Sequence, residues 1–125
     1  MVEDAVDWWT RAGKVAAARS ANPEAVELLE RGLSLIAKLP ESEERDRREL
    51  DLQTALFGPL ITVKGQFSRE WEAACNRTLA LCEAVDAPEE MFRVLFAKSL
   101  AHTLRGQHSI AIELAQELQI GRAHV

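Results

Sequence analysis

Helix-start and helix-stop residues recur at short intervals along this chain, and they limit it to a succession of short helices. Pro23, Ser42, Ser68 and Pro88 each open a run rich in Ala, Leu, Glu and Arg. Within those runs apolar residues recur three and four apart, the spacing of one helical face. Asn22 is placed to act as an N-cap, Pro23 suits the first helical position, and Glu24 and Glu27 lie at the positive end of the helix dipole. Ala25, Leu29, Leu33 and Ile36 then form a stripe, with Glu27, Arg31, Ser34 and Lys38 opposite, and Pro40 stops the run.

The neighbouring segments follow the same logic. Upstream, EDAVDWWTRAGKVAAAR gives a helix ending near Ser20. The charged stretch ESEERDRREL opens a third helix near Ser42, its first turns solvated and laced with intrahelical ion pairs. Its apolar stripe runs Leu52, Leu56, Leu60, Val63, and Pro59 inside it predicts a kink or short break near Gly58 before Gly65 caps the end. Ser68 caps a fourth helix with Trp71, Ala74, Cys75, Thr78, Cys82 and Val85 on one face. Asp86 and Ala87 form a turn, and Pro88 opens a fifth helix along Phe92, Leu95, Phe96, Ser99 and Thr103. Gly106 is expected to end it, with a sixth helix from near His108 through Leu118. No run of alternating β-branched residues makes a strand; Ile61–Gly65 comes nearest and continues a helical stripe. The fold class is all-α.

Composition narrows the function classes. With 125 residues the chain can bury one core, and 28% charged with 47% apolar residues is a globular profile. A net charge of −5 argues against a general nucleic-acid binder or a protein docked on anionic lipid. MVEDAVDWW lacks a secretion signal, no apolar run reaches a membrane span, and two cysteines make no disulfide framework. A cytoplasmic location is the expectation.

Short connections predict antiparallel hairpins, and the hairpins repeat. Arg31–Ile36 aligns with Arg77–Cys82, 46 positions on. Ala25–Leu28 aligns with Ala111–Leu114, 86 positions on, and Gly65-Gln66 with Gly106-Gln107, 41 positions on. Units of this size belong to the helical solenoids. The prediction is a right-handed stack of about three hairpins over residues 1–118, the third truncated.

The strings DWWTRAGKVAAARSANPEAVELLERGLSLIAKLP, RRELDLQTALFGPLITVKGQFSREWEAACNRTLALCEAV and EEMFRVLFAKSLAHTLRGQHSIAIELAQEL carry a resemblance. Together they resemble the tetratricopeptide-like (TPR-like) repeat region of large bacterial signalling ATPases. Many of these have an N-terminal adenylate/guanylate cyclase domain, and related ones a LuxR-type DNA-binding domain. The most distinctive pieces are Trp9 with Arg11-Ala12-Gly13, the helix end from Leu33 to Leu39-Pro40, Glu49-Leu50-Asp51-Leu52-Gln53, and Leu60 to Val63-Lys64-Gly65, with Phe57-Gly58-Pro59 also fitting. None is a catalytic motif. The resemblance implies a non-catalytic interaction module that presents a curved surface to a protein partner or a neighbouring domain, with the first helix of each hairpin on the concave side. No cyclase domain is present, and Gly13-Lys14-Val15 fails the phosphate-loop pattern, so neither activity transfers to a residue here. The alternative is a free-standing small helical enzyme or ligand-binding protein.

The last residues break the pattern. Codons ATC GGA AGA GCA CAC GTC encode Ile-Gly-Arg-Ala-His-Val, the sequence of a common short-read sequencing adapter, and a CAG codon for Gln119 keeps the frame. Gln119–Val125 is therefore read as adapter read-through, to be set aside from function. Without Arg122 the net charge moves from −5 to −6. The uncapped end predicts fraying of the sixth helix and self-association through Ile112, Leu114, Ala115 and Leu118.

Candidate chemistry is sparse. Cys75 and Cys82 share a helical face, but no further Cys or His converges on them for a metal, and core packing explains both. His102 and His108, on either side of the expected Gly106 turn, lack a third ligand or a nucleophile, and His124 belongs to the tail. Of Trp8, Trp9 and Trp71, at least two are expected in buried hairpin contacts. No acidic pair stands out as acid and base. The reading assigns no catalytic, cofactor-binding or metal residue and no cofactor, and it leaves the binding residues unknown.

Overall fold

The structure, a computed structural model, describes residues 1–123, apart from the side chains at positions 111 and 117–123. Five helices follow in order: α1 Val2–Ala18, α2 Asn22–Ile36, α3 Glu43–Lys64, α4 Arg69–Ala84 and α5 Pro88–Ala123. There is no strand among the described residues, so the all-α class stands. The chain divides into two compact units, Met1–Val94 and Leu95–Val125. His124 and Val125 lie outside the described residues, and with them the end of the tail.

In the first unit α1 packs on α2, α2 on α3 and α3 on α4, and α1 also reaches α3. This packing is consistent with stacked hairpins. Burial repeats with the sequence offset of 46. In α2 and just after it, Ala25, Leu29, Gly32, Ile36 and Leu39 are buried, and so are their counterparts Trp71, Cys75, Thr78, Cys82 and Val85. Val6, Thr10 and Gly13 of α1 stand in the same relation to Leu52, Leu56 and Pro59 of α3, again all buried. The main core joins Val6, Leu29, Ile36, Leu52, Leu56, Leu60 and Ala74. Fully burying side chains of this size is worth about 1.5–3 kcal/mol each. A second cluster, Leu50, Leu81, Cys82 and Val85, is covered by Met91 at the start of α5.

The connections are built from specific backbone bonds. At the end of α1, Ser20 adopts φ 60°, its N–H bonds Ala17 O, and Ala21 N–H bonds Ala16 O. That closes the helix in the manner usually assigned to glycine. It also moves the N-cap of α2: Ala21 holds that place with no side-chain bond, and Asn22 is already helical. The expected Asn22 cap is therefore not formed, and Pro23 falls at the second helical position. The Ser42 and Ser68 caps are formed, their hydroxyls accepting from Arg45 N and Trp71 N at 3.1 Å each. Asp86, at φ 54°, makes the expected turn, with Ala87 N–H bonding Cys82 O.

Two breakers do not break. α3 runs through Pro59 without interruption. A side chain before proline clashes with the proline ring in helical conformation. Gly58 has no such side chain, which removes that obstacle. Val63 sits half-exposed, so the buried face of α3 ends at Leu60. In the second unit the helix continues through Gly106, so the expected turn there and the separate sixth helix are absent. An internal glycine costs a helix only about 1 kcal/mol, and its neighbours are ordinary helix formers. Thr103 and Ser109 spend their hydroxyls on the carbonyls of Ser99 and Arg105, four residues back. At Gly65, by contrast, φ is 92° and Phe67 at φ 66° lays its ring against Trp71, centroids 5.3 Å apart. Phe92, Leu95 and Phe96, which track together along the fifth helix in the sequence, are exposed, and Val94 and Ala101 are buried.

Candidate functional site

Two grooves on the first unit gather its polar side chains. The first lies between α1 and α3 and is lined by Asp7, Thr10, Arg11, Lys14 and Asp51, with a volume of about 260 Å³. Lys14 Nζ donates to Asp51 Oδ1 at 2.7 Å, and Arg48 Nε donates to Asp7 Oδ1 at 3.3 Å. Arg48 also pairs with Glu44 at 3.2 Å. Desolvation works against the Arg48 charge, but the hydrogen bond and charge of Asp7, then Glu44, outweigh it and raise its pKa. Thr10 is buried, and its hydroxyl donates to Val6 O at 2.8 Å.

The second groove lies between α2 and α4, with α3 as its floor, and has a volume of about 270 Å³. Leu33, Leu56, Leu60, Ala73 and Ala74 supply an apolar bed, and Glu30, Glu70, Gln53 and Arg77 the polar lining. Arg77 is held by Glu49 through two short bonds, Nε to Oε2 at 2.6 Å and Nη2 to Oε1 at 2.7 Å. The hydrogen bond to Glu49 is the main cause raising the Arg77 pKa; desolvation opposes it, and the charges of Glu49 and Asp46 add to it. Gln53 is buried and its Oε1 has no donor among the described residues. Glu49, Asp51 and Gln53 all come from the single string Glu49-Leu50-Asp51-Leu52-Gln53. α3 thus serves both grooves, Asp51 facing one and Gln53 flooring the other.

The residues weighed from the sequence fall elsewhere. Cys75 and Cys82 are both buried on α4. Burial pushes the Cys82 thiol up, and the carboxylate of Glu90 adds to the shift. His102 and His108 are exposed on one continuous helix, so no turn brings them together. Only Trp71 of the three tryptophans is fully buried; Trp8 is exposed and Trp9 half-buried. Trp8 and Trp9 meet edge to face, centroids 4.8 Å apart, and Arg31 lies over Trp9 at 5.3 Å. No group of three or more His, Cys, Asp or Glu side chains able to hold a metal ion occurs among the described residues. No helix among them is long and apolar enough to cross a membrane.

Both grooves are shallow and open. Such surfaces suit recognition by many weak contacts, with paired charges fixing orientation. Comparison with protein-family models, with curated proteins and with solved structures finds no match.

Proposed function

We propose that this chain is a non-catalytic, TPR-like interaction module from a bacterial signalling ATPase. Its hairpins stack as a right-handed solenoid, and its grooves receive a protein partner or a neighbouring domain of the same polypeptide. The observation that carries this reading is the burial pattern, which repeats at one offset of 46 in both helices of the two hairpins. The contact of α1 with α3 supports it, because stacked hairpins bring successive first helices together. The α1–α3 groove would then be the concave, charged face.

Sequencing genomic DNA across both ends tests the reading, together with an assay of the purified chain. An open frame upstream of Met1 that encodes a nucleotide-binding domain is expected, with further hairpins encoded beyond Leu118. The isolated chain is expected to show neither ATP hydrolysis nor nucleotide cyclisation. A stop codon directly after Leu118, with turnover by the purified chain that a point substitution abolishes, would overturn it.

A further inference from the structure

Gln53 lies on α3 at the floor of the groove between α2 and α4, and it is only 8% exposed. Its Oε1 is sealed from solvent and meets no donor among the described residues. A buried acceptor left without a donor costs stability, whereas an apolar side chain of the same shape would not. The terminal torsion of glutamine is soft. A turn about it brings the oxygen to the groove, where a ligand can supply the donor.

The groove also sets the charge of that ligand. Glu30 on the α2 wall and Glu70 on the α4 wall are exposed and make no ion pair with a described residue. Arg77, also on the α4 wall, is matched by Glu49. The lining is therefore negative over an apolar bed, which suits a cation on an apolar stem. Lysine is such a group, its methylenes lying along apolar surface while its ammonium keeps to polar atoms. A guanidinium favours one carboxylate gripped by two parallel bonds. Glu30 and Glu70 come from different helices, and they suit a point charge with three donors instead.

We propose that this groove takes a lysine side chain of a protein partner, its stem on Leu33, Leu56 and Leu60 and its ammonium at the Gln53 amide oxygen between Glu30 and Glu70. A free amine would call for a pocket that encloses it, and this groove is open. The assignment deepens the proposed role as an interaction module and rests on it.

The test is an NMR titration of the full chain, following the side-chain amide of Gln53 and the backbone amides of Ala73 and Ala74. The probes are short capped alanine peptides with one central lysine, acetyl-lysine, norleucine or arginine, and free n-butylamine. The lysine peptide is expected to shift these signals saturably, and the acetyl-lysine and norleucine peptides to bind about tenfold more weakly, the scale of a hydrogen bond to a charged group. Glu30→Gln and Glu70→Gln are each expected to weaken lysine binding about twofold to fivefold, as for exposed charge pairs. Gln53→Leu is expected to weaken it more than either. Both glutamates are exposed, so their variants decide the matter even if Gln53→Leu does not fold. No saturable shift with the lysine peptide overturns the proposal. So do a norleucine or arginine peptide that binds as tightly, or glutamine variants at Glu30 and Glu70 that bind as the wild type does. Tighter binding of n-butylamine than of the lysine peptide would assign the groove to a free amine and overturn it too. None of these results bears on the genomic frame, which decides the module reading separately.

Discussion

Arg77 on α4 clamps Glu49 on α3 with a two-bond fork, at 2.6 and 2.7 Å. The Glu49 side chain is only 9% exposed, while that of Arg77 is 48% exposed. The carboxylate has therefore lost its water and depends on the guanidinium, whereas the guanidinium still reaches solvent. Removing Arg77 is the more damaging half of the exchange. Arg77→Ala is expected to lower unfolding stability by about 2 kcal/mol, the scale of hydrogen bonds to a charged group. Arg77→Lys should recover part of this, because an ammonium keeps the charge but not the fork. Urea unfolding midpoints decide it; an Arg77→Ala chain as stable as the wild type would show that water replaces the clamp.

The helix caps give a second prediction. The hydroxyls of Ser42 and Ser68 accept from the first-turn amides of α3 and α4. Ser42→Ala and Ser68→Ala are each expected to cost about 1 kcal/mol. Asn22 makes no cap bond, so Asn22→Ala should change stability by no more than about 0.5 kcal/mol, the range of ordinary surface substitutions. The same urea titrations rank the three. A large loss at Asn22 alone would mean that α2 starts one residue later than described.

What the sequence made legible follows from how local each signal is. All six residues predicted for the α4 face are buried, because a cap at Ser68 and a tight turn at Asp86 leave the helix one way to lie. The string Glu49-Leu50-Asp51-Leu52-Gln53 stands out in the sequence, but the pairing of Glu49 with Arg77 is not legible there. Glu49 stands in the charged run ESEERDRREL, which reads as solvated turns, and its partner is 28 residues away on another helix. Charge pattern alone does not separate it from Glu43 and Glu44, which pair within their own helix with Arg47 and Arg48. Gly106 stays helical, against the expected turn, for a related reason. The dipeptide Gly-Gln makes a turn at Gly65 because Phe67 and Trp71 hold the chain there, and a preference of about 1 kcal/mol does not decide the outcome by itself. The Asn22 cap was displaced by the closing bonds of the preceding helix, which depend on Ser20 taking a positive φ.

Cys82 predicts a pH dependence. Burial, then the charge of Glu90, raises its thiol pKa in the folded chain. In the unfolded chain the thiol ionises at its ordinary value, about 8.5. Below that value both states keep the proton, and the stability associated with the group is fully present. As pH rises above it the unfolded state ionises first, and stability is lost until the folded thiol also ionises. Unfolding midpoints are therefore expected to fall on the alkaline side of the ordinary thiol range, and to fall less steeply for Cys82→Ala. Equal slopes would show that Cys82 does not carry the effect. Alkylation of Cys82 under native conditions is expected to be slow, because the side chain is only 1% exposed.

The tightest helix contact predicts a substitution that reverses the usual rule. Replacing glycine by alanine inside a helix normally stabilises by about 1 kcal/mol. Gly106 is such a place, since a Cβ built there meets nothing within 4 Å, and Gly106→Ala is expected to raise helicity and stability. At Gly13 on α1 the outcome is opposite. A Cβ there falls 2.5 Å from both Cγ and Cδ2 of Leu29 on α2. Leu29 is fully buried within the main core, so it has no solvent to turn into and must push α1 and α2 apart. Overpacking of this kind costs about 1–3 kcal/mol, which equals or exceeds the propensity gained. Gly13→Ala is therefore expected to be destabilising, and Gly13→Ala combined with Leu29→Val to be less so than the two single losses added. Thermal and urea unfolding of the four chains measure this. Strict additivity would mean that the close approach of α1 to α2 does not run through these two residues.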